Sequence, residues 1–417
     1  MEFVADFHIH SKYSRATSKD MDVEHLAQWA KLKGIQLIGT GDFTHHLWLE
    51  ELRGKLEDQG NGLYAYNGIH FMLTSEISCI YSKNNRGYRI HNVIFAPSFK
   101  TVEKINAYLA GIGNLASDGR PILGLDAAEL ARIIFDIDPN CFFVPGHIWT
   151  PWFSLFGSAS GFDRIEDCFE EQAKNIHCLE TGLSSDPAMN WRVSALDRFS
   201  LISNSDSHSP SKIGREANVF DCELSYNEII TALKTKDKKK FLYTIEFYPE
   251  EGKYHYDGHR LCGITFSPKE SKAHKNICPK CKKPLTIGVM NRVDQLADRP
   301  EGFKPDNAIP FKNLIPLDEI IAEAKGMGKA SQAVELEYRS IIAKFGTELD
   351  VLGKVPKEEL LKGIDNRIAD AIIRVREGRV HIAPGYDGEY GKISIFDDDE
   401  KPEKHEEIGR ASCRERV

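Results

Sequence analysis

Residues 3–10 read Phe3-Val4-Ala5-Asp6-Phe7-His8-Ile9-His10, an apolar, β-rich run that ends in two histidines. Successive side chains of a strand point to opposite faces, so His8 and His10 lie on the same face. One metal ion could therefore contact both imidazoles. The pair alone is weak evidence, because a chain of 417 residues with 15 histidines also produces His-x-His by chance.

Further apolar, β-rich runs follow along the first 205 residues. The predicted strands are Phe3–Ile9, Gln36–Gly39, His70–Leu73, Val93–Ala96, Cys141–Val144, His177–Leu179 and Ser200–Ser203. Helical patterns between them are Met21–Lys33, Val102–Leu109, Ala127–Phe135 and Ile165–Lys174. Strands that alternate with helices indicate parallel β/α units. Seven strands at this spacing favour an α/β barrel, with a doubly wound open sheet as the alternative.

Five of the predicted strands end in side chains that can bind metal ions. These strand ends carry His8 and His10, Asp42 and His45, Glu76, His147, and Asp206 with His208. The carboxyl ends of parallel strands meet at one face of a barrel, where active sites form. Such groups would lose solvation in a core, but divalent ions would satisfy them. His91 precedes its apolar run, so it joins the others only if that run is antiparallel or a loop carries it.

A second group of candidate metal ligands lies between residues 250 and 300. Cys278-Pro279-Lys280-Cys281 has the Cys-x₂-Cys spacing of a zinc knuckle, and a loop-rich segment with little core needs such a staple. Cys262 and His274 are the chosen upstream ligands, with His255 and His259 as alternates. A redox Cys-x-x-Cys is the competing interpretation, but the surrounding sequence lacks a thioredoxin-like βαβ pattern. One structural zinc ion is therefore predicted.

The composition is that of a globular protein of two or three domains. Hydrophobic residues make up 41% and charged residues 28% of the chain, which excludes a disordered or collagen-like protein. Apolar runs stay well short of the ~20 residues of a membrane helix, and the N-terminus lacks the basic flank of a signal peptide. We therefore expect a cytoplasmic protein without a membrane partner, whose nine cysteines are free, metal-bound or catalytic.

Together the motifs resemble the polymerase-and-histidinol-phosphatase (PHP) family, and within it the endonuclease Q family. The likeness covers residues 1–396 and rests on Asp-x-His-x-His at 6–10, Gly-Thr-Gly-Asp-Phe-Thr-His at 39–45, His-Ile-Trp-Thr-Pro-Trp-Phe at 147–153, Ser-Asp-Ser-His-Ser-Pro at 205–210 and Pro-Gly-Tyr-Asp-Gly-x-Tyr-Gly at 384–391. It implies a distorted seven-stranded β/α (PHP) barrel with up to three metal ions at the strand ends.

Carried over residue by residue, the resemblance implies nine metal ligands. They are His8, His10, Asp42, His45, Glu76, His91, His147, Asp206 and His208. Asp206 and His208 are expected to be essential for catalysis, and His46 competes with His45. Many family members carry a further Asp or His after the first motif, where this chain has Tyr13-Ser14-Arg15. Two or three divalent ions, zinc, manganese or magnesium, would hold a phosphate and lower the pKa of a bound water.

Six further residues are predicted to support the site. The carboxylates of Asp6 and Glu180 are expected to hydrogen-bond to ligand histidines and hold them in orientation. The remaining four are candidate phosphate or DNA contacts: Lys212, Arg215, Trp149 and Trp152. The two basic residues are equally well explained as solvated charges. For the two tryptophans, a lid packed against the second domain is favoured over a DNA contact. As DNA contacts, the tryptophans would stack on a base displaced from the helix.

Four regions are predicted from the changes of pattern. They are a PHP phosphoesterase barrel at 1–245, a zinc-binding module at 246–300, a helical DNA-binding domain at 301–396, and a disordered acidic tail at 397–417 whose last eleven residues resemble a translated sequencing adapter. Residues 251–300 carry ten Lys and Arg against five Asp and Glu, where we expect a nucleic-acid backbone. A solvated charged face is the alternative.

The sequence therefore predicts a DNA-repair endonuclease. By resemblance, it should hydrolyse the phosphodiester on the 5′ side of uracil, hypoxanthine, xanthine or an abasic site, and leave a 3′-hydroxyl and a 5′-phosphate. The alternatives are a phosphatase for a small phosphate monoester and a non-catalytic zinc-dependent DNA-binding protein. The expected partner is DNA with damaged bases, a sliding clamp is a further candidate, and a monomer is expected.

Overall fold

The structure is a computed structural model that describes residues 1–397 and 399–400. The chain forms two compact units. The first comprises Met1–Leu314 and Ile382–Ile393, and the second comprises Ile315–His381 and the described residues from Ser394 onward. The predicted acidic tail and its adapter-like end lie outside the described residues from residue 401 onward.

A mixed sheet of eleven strands forms the centre of the first unit. In chain order the strands are β1 (Glu2–Asp6), β2 (Leu37–Gly39), β3 (Glu57–Asp58), β4 (Tyr64–Tyr66), β5 (Ile69–Lys83), β6 (Arg86–Ala96), β7 (Ile122–Leu123), β8 (Phe142–Pro145), β9 (Cys178–Glu180), β10 (Ser200–Ile202), β11 (Ala217–Asp221), β12 (Phe241–Glu246), β13 (Asp257–His259), β14 (Ile264–Phe266), β15 (Phe311–Asn313), β16 (His381–Ala383) and β17 (Lys392–Ser394). The pairs β9–β10, β13–β14 and β16–β17 form separate two-stranded sheets.

The arrangement of the strands confirms the mixed α/β class. β1 is parallel to β2, and β2 is parallel to the first part of β5. β5 then turns back into β6 as a long antiparallel hairpin, and β6 pairs antiparallel with β8. The strand predicted at Val93–Ala96 thus belongs to a hairpin rather than to a β/α unit. The pairings of the described strands do not join into a closed ring, so the seven-stranded barrel stays a prediction.

Aromatic side chains hold β1 against its neighbours beneath the candidate site. The rings of Phe3 and Phe220 stack with their centroids 5.4 Å apart, which joins β1 to β11. The Phe7 ring, just beyond β1, meets the edge of Phe95 on β6 at the same separation. Pairs of buried rings in these geometries add to the stabilisation that burial gives. The end of β1 is therefore fixed in relation to β6 and β11.

Helices pack around the sheet and dominate the second unit. They are α1 (Val23–Lys33), α2 (His46–Lys55), α3 (Phe99–Leu109), α4 (Ala127–Ile137), α5 (Ile165–Phe169), α6 (Pro187–Asn190), α7 (Tyr226–Thr235), α8 (Pro268–Ala273), α9 (Val289–Leu296), α10 (Leu317–Lys325), α11 (Gln332–Phe345), α12 (Glu348–Gly353), α13 (Lys357–Gly363) and α14 (Asn366–Arg376). Helix α1 begins where the Asp22 side chain accepts a hydrogen bond from the His25 amide, and it ends at Gly34, whose φ is 88°. Among the described helices, none has the length and apolar composition needed to cross a membrane.

The second unit confirms the predicted helical region. Glu348, which is 3% exposed, connects three of its helices. Its carboxylate accepts hydrogen bonds from the Leu317 amide at 3.1 Å and from the Tyr338 hydroxyl at 2.6 Å. The Arg376 guanidinium donates to the carbonyl oxygens of Val351, Leu352 and Val355 near the end of α12. These buried polar contacts fix the helices to one another.

Candidate metal centre

The residues after β1 pair with the residues after β10, and this pairing builds the first part of the site. Ile9 forms a parallel bridge with Ser207, and the His10 amide donates to the Ser207 carbonyl at 2.9 Å. The Phe7 amide donates to Asn204 Oδ1 at 2.9 Å. The two strand extensions therefore run side by side. Asp206 is placed next to the histidines of the first motif.

Four side chains form a cluster that we call the first metal group. Its members are His8, His10, Glu76 and Asp206, whose donor atoms all lie within 4.8 Å of one another. His10 Nε2 is 3.2 Å from Glu76 Oε2 and 3.1 Å from Asp206 Oδ1. His8 Nε2 is 3.4 Å and 3.8 Å from the same two oxygens.

Glu76 also belongs to a second metal group, with His91 and His147. Glu76 Oε1 lies 2.5 Å from His91 Nδ1 and 3.2 Å from His147 Nε2. In the β5–β6 hairpin, Glu76 is opposite Val93 and His91 is opposite Ser78, so Glu76 and His91 are diagonal neighbours. Of the two placements proposed for His91, the antiparallel strand is the one found. The two groups therefore meet at a single carboxylate.

Two more carboxylates hold the histidines in orientation. Glu180, at the end of β9, contacts His8 Nδ1 through both oxygens at 3.0 Å and accepts from the His147 amide at 2.8 Å. Asp42 contacts His10 Nδ1 at 3.0 Å and accepts from the Ser11 amide at 2.6 Å. A carboxylate on the remote ring nitrogen sets the tautomer and leaves Nε2 as the donor toward a metal ion.

The carboxylates of the site are held in their charged form. Burial opposes the charge on Glu76, but His91 and Arg120 keep its pKa well below the usual range. Burial likewise opposes the charge on Asp206, but His10 and His8 keep its pKa low. Burial lowers the pKa of His91 to about 4 although Glu76 lies beside it. A buried site with ionised carboxylates and a neutral imidazole is suited to a cation.

The donor atoms fit divalent metal ions. His8 Nε2, His10 Nε2 and Asp206 Oδ1 are buried, and the two nitrogens lie 3.8 Å and 3.1 Å from the oxygen, but among the described residues they make no hydrogen bond of good geometry. They surround one common space, and buried polar atoms without partners are rare in proteins. Imidazole nitrogen with carboxylate oxygen suits zinc, manganese or iron. Bound there, such ions would stabilise charge on a phosphate and acidify a water molecule.

Three residues of the site adopt a backbone conformation that is unusual for their type. Asp42, His147 and Asp206 have φ values of 48°, 27° and 46°. A positive φ is uncommon outside glycine and has an energetic cost, and such residues gather at active and ligand sites. The strain is consistent with side chains that are positioned for binding rather than for stability.

The metal groups open into a cavity of about 430 Å³, which we call the site cavity. His91, His147 and Asp206 line it on one side, and Arg15 and Arg120 contribute positive charge. A nucleotide-sized ligand could therefore reach the metal groups from solvent.

A second cavity of about 600 Å³, the aromatic cavity, lies alongside and shares Trp152 and Phe153 with the site cavity. Tyr254 and Tyr390 also line it. The ring of Trp152, which is 43% exposed, meets the edge of Tyr254 at 5.6 Å. The aromatic cavity could hold a planar group whose polar end lies in the site cavity.

A separate cluster brings together His259, Cys262, Cys278 and Cys281, whose donor atoms lie within 4.8 Å of one another. The histidine predicted for this site, His274, is not a member. Its ring instead stacks on Phe266 at 4.8 Å. His259 ends β13 and is joined to Cys262 by a short turn, so the alternate histidine is the one that the hairpin places beside the cysteines. Two thiols of a Cys-x₂-Cys with a third cysteine and a histidine match a closed zinc site.

Comparisons with known proteins find relatives of this chain both in sequence and in structure. The profile of the MJ0043 C-terminal domain matches residues 316–379. The lesion-specific endonuclease PfuEndoQ from Pyrococcus furiosus superposes with a TM-score of 0.86 at 33% identity, over 95% of this chain and 96% of that one. The chain belongs to the endonuclease Q family. A second solved structure is endonuclease Q with a 27-mer duplex that has an abasic lesion at the active site. It superposes with a TM-score of 0.84 at 33% identity, over 95% of this chain and 97% of that one.

One relative is considerably longer than this member of the endonuclease Q family. The protein MJ0043 of Methanocaldococcus jannaschii is 35% identical over 279 residues, which are 64% of this chain. The matched part is only 32% of MJ0043, so the chain spans about a third of that relative.

Six of the nine predicted metal ligands of this chain lie in the two metal groups, and three do not. Asp42 is not a member of either group, and its carboxylate contacts the Nδ1 atom of His10 instead. The His45 ring stacks on Tyr13 at 4.5 Å, at the start of α2. His208 lies with its ring 4.6 Å from His10, and its Nδ1 is 2.9 Å from the backbone oxygen of Asp206. The structure thus divides the nine candidates into six that are members of the metal groups and three that lie beside them.

The two predicted supporting carboxylates have different roles. Glu180 contacts a ligand histidine, as expected. Asp6 does not: it accepts hydrogen bonds from the backbone amides of Ser205 at 3.1 Å and Gly214 at 2.9 Å. Burial raises the pKa of Asp6 to about 6. Asp6 therefore holds the loop that carries Asp206, not an imidazole.

Three of the four candidate DNA contacts are engaged or placed elsewhere. Trp149 is 1% exposed, and its indole N–H donates to Asn190 Oδ1 at 2.8 Å, so it is not available for stacking on a base. The Arg215 guanidinium donates twice to the Ser205 carbonyl, at 2.8 and 3.0 Å. Lys212 is half-buried at the end of a short helical turn. Trp152 is the member of the set that lines both cavities.

Sequence reasoning missed Arg120. Its Nη1 lies 3.2 Å from Glu76 Oε2, and its side chain is 28% exposed. The residue sits between Gly119 and Pro121 in a loop before β7, where no periodicity marks it. Only the folded chain brings this cation to the shared carboxylate.

The shared position of Glu76 leads to a prediction about metal binding. Glu76→Gln keeps the size of the side chain but removes its charge from both metal groups, whereas His91→Ala removes a donor from the second group alone. We expect Glu76→Gln to weaken two Mn²⁺ sites by more than the roughly 10–100-fold typical of residues that only support a ligand. His91→Ala should weaken one site.

Isothermal titration of metal-free protein with Mn²⁺ measures both effects. Glu129→Gln on α4, which is outside both metal groups, serves as the matched control and should bind as the wild type does. Two unchanged sites in Glu76→Gln would contradict the shared-carboxylate arrangement.

The zinc cluster leads to a second prediction. We expect His259→Ala and Cys281→Ser to lose the structural zinc, because each removes a donor from the cluster, whereas His274→Ala should retain it. Zinc released on denaturation can be measured with a colorimetric chelator, together with the melting temperature. Full zinc content in His259→Ala and loss in His274→Ala would restore the original assignment.

Proposed function

We propose that the protein is a DNA-repair endonuclease that hydrolyses the phosphodiester 5′ to uracil, hypoxanthine, xanthine or an abasic site and leaves a 3′-hydroxyl and a 5′-phosphate. The observation that carries this proposal is the pair of metal groups sharing Glu76 below an open cavity, in a chain of the endonuclease Q family. Two neighbouring ions suit the in-line displacement of a phosphodiester. The endonuclease Q that superposes on this chain holds an abasic duplex at its active site, which supports DNA as the substrate here.

The chain's own residues would position the reacting groups. Glu180 and Asp42 hold His8 and His10 with their Nε2 atoms toward the common space. Asp206 adds a carboxylate that is 28% exposed and so lies nearest to the site cavity. We infer that a phosphodiester entering this cavity meets the metal groups first on the side of Asp206 and His147. Fixed donors of this kind need little reorganisation during the reaction.

The aromatic cavity supports the proposed preference for damaged bases. A nucleotide with its phosphate in the site cavity would place its base beyond Trp152, among aromatic rings. Damaged or mispaired bases leave the duplex at a lower cost than normal ones, and that difference is one source of selectivity. The positively charged Arg89 and Lys253 line the same cavity and would attract the backbone around the displaced nucleotide.

The zinc-binding module and the helical region are proposed to hold the rest of the duplex. Residues 251–300 carry the local excess of basic side chains. A closed zinc site of the Cys₃His type would keep this loop-rich segment folded without a large core. In this proposal the region at 1–245 cuts the DNA, and the regions at 246–300 and 301–396 hold it.

A nicking assay tests the proposal. Duplex oligonucleotides with one deoxyuridine, deoxyinosine, deoxyxanthosine or abasic site should be cut on the 5′ side of the lesion in the presence of Mg²⁺ or Mn²⁺, and not in EDTA. The nick should be extendable by a polymerase, because it carries a 3′-hydroxyl. Asp206→Ala should reduce nicking to background while retaining DNA binding.

Three outcomes would contradict the proposal. Equal cutting of undamaged duplex would remove the lesion preference. Hydrolysis of small phosphate monoesters without any cutting of DNA would identify a phosphatase. Normal cutting by Asp206→Ala would place the active site elsewhere.

The role of Trp152 can be tested separately. Stacking of a base on an aromatic side chain contributes about 1–3 kcal/mol, so Trp152→Ala should lower kcat/KM on lesion DNA by roughly 5- to 150-fold. Metal content should not change, because Trp152 is not a member of either metal group. Tyr108→Ala, an exposed aromatic residue on α3, is the matched control. An unchanged kcat/KM in Trp152→Ala would exclude the aromatic cavity as the site of the displaced base.

A further inference from the structure

Asp118 joins two arginines beside the site cavity. Its Oδ1 accepts hydrogen bonds from the backbone amides of Arg15 at 3.3 Å and Arg120 at 3.2 Å, and its Oδ2 lies 3.3 Å from Arg15 Nε. The Asp118 side chain is only 10% exposed, whereas the Arg15 side chain is 78% exposed. The carboxylate therefore fixes the loop after the first motif to the loop before β7. Both arginines line the cavity that contains His147 and Asp206.

Gly119 explains how the loop before β7 can come so close to the metal groups. A Cβ atom at this position would lie 2.3 Å from Asp42 Oδ2 and 2.4 Å from Ser14 Oγ. Only a residue without a side chain leaves room for this approach. The backbone before Arg120 is thus fixed by the Asp118 carboxylate and the Gly119 contact. The backbone after it is fixed by the Ser78 amide, which donates to the Pro121 carbonyl at 3.0 Å.

The side chain of Arg120 has hydrogen-bonding capacity beyond its contact with Glu76. A guanidinium has five N–H donors, and among the described residues the Arg120 side chain contacts Glu76 through Nη1 alone. Glu76 is meanwhile surrounded by more nitrogen atoms than a carboxylate can accept from, since four imidazoles also approach its two oxygens. Arg120 therefore pairs with Glu76 through one N–H group, which leaves its other donors for a ligand in the site cavity that it lines. A second role for this cation is favoured.

We propose that Arg120 donates to a non-bridging oxygen of the scissile phosphodiester, and that Arg15, at the exposed end of the cavity, contacts the next phosphate along the strand. This proposal rests on the proposed function, because it names the substrate's phosphates. Arginine suits the role, since its planar fork of donors matches phosphate oxygens and its charge is permanent. Arg120 would then be a catalytic residue, and Asp118 and Gly119 would be positioning residues.

The first experiment compares nicking under single-turnover conditions with DNA binding by fluorescence anisotropy. Arg120→Gln should lower the nicking rate by roughly 100- to 1,000-fold, as loss of a donor to the reacting phosphate does. Arg120→Lys, which keeps the charge but loses the fork, should restore part of the rate. Mn²⁺ content should match the wild type in both. A loss of Mn²⁺ that accounts for the lower rate would show a purely structural pairing with Glu76 and overturn the proposal.

Arg15→Gln should act mainly on binding. We expect a weaker DNA affinity and a salt dependence of binding lower by about one unit of log–log slope, the effect of one lost phosphate contact. The exposed Arg132→Gln on α4, which removes the same charge far from the cavity lining, should change neither rate nor slope. An Arg15→Gln variant with the slope and affinity of the wild type would exclude the contact.

The second experiment assigns the contacted oxygen. Sulfur replaces each non-bridging oxygen of the scissile phosphate in turn, and the ratio of rates with oxygen and sulfur is measured. If Arg120 donates to one of these oxygens, that ratio should shrink in Arg120→Gln for one diastereomer only. Ratios unchanged between wild type and variant for both diastereomers would overturn the proposal.

A third measurement separates this proposal from the proposed function. If the wild type does not cut lesion DNA, the proposed function fails. The phosphate contact of Arg120 can still be tested by titrating inorganic phosphate into the Mn²⁺-loaded protein. Arg120→Gln should then bind phosphate about tenfold more weakly than the wild type. Equal phosphate affinities would reject Arg120 as a phosphate ligand whatever the substrate is.

Discussion

The architecture of the site depends on one buried carboxylate. Glu76 is 1% exposed, yet it stays ionised because imidazoles and a guanidinium surround both of its oxygens. An ionised carboxylate at this depth would be costly without such partners. The register of the β5–β6 hairpin, the orientation of His8 by Glu180 and the approach of Arg120 all bring positive or metal-binding groups to it. Removing it would leave two groups of donors without a common centre.

Much of this site could be predicted because it follows from local rules. Alternation along one strand places His8 and His10 together, and the meeting of parallel strand ends brings in Glu76 and Asp206. His91 required more, since its position depends on how far β5 continues beyond Glu76 before it turns back. The short apolar run recognised at 70–73 does not reveal a strand that extends to residue 83. The sequence pattern therefore could not distinguish a β/α unit from a hairpin in this region.

The roles of the other site residues could not be predicted, because they depend on which of two similar side chains the fold brings closer to the metal-binding atoms. Asp42 and Asp206 both follow strands, but one contacts an imidazole and the other faces the metal groups. His259 and His274 both flank Cys262 in sequence, and only the turn after β13 selects the first. Arg120 has no sequence signal at all, since its partner lies 44 residues earlier. Differences of a few ångströms between distant segments decide each case.

The charges of the site also explain how a protein with a net negative charge could bind DNA, its proposed substrate, which is a polyanion. Ionised carboxylates at the metal groups would repel a phosphate, whereas the arginines of the cavity wall would attract it. The two tendencies are reconciled when cations balance the carboxylates, since the net field at the cavity then becomes positive. Metal binding and phosphate binding at this site must therefore favour each other, and by linkage the effect is equal in both directions. The formal charge of −8 for the whole chain has little bearing on this balance, because it is the local field that a bound phosphate experiences.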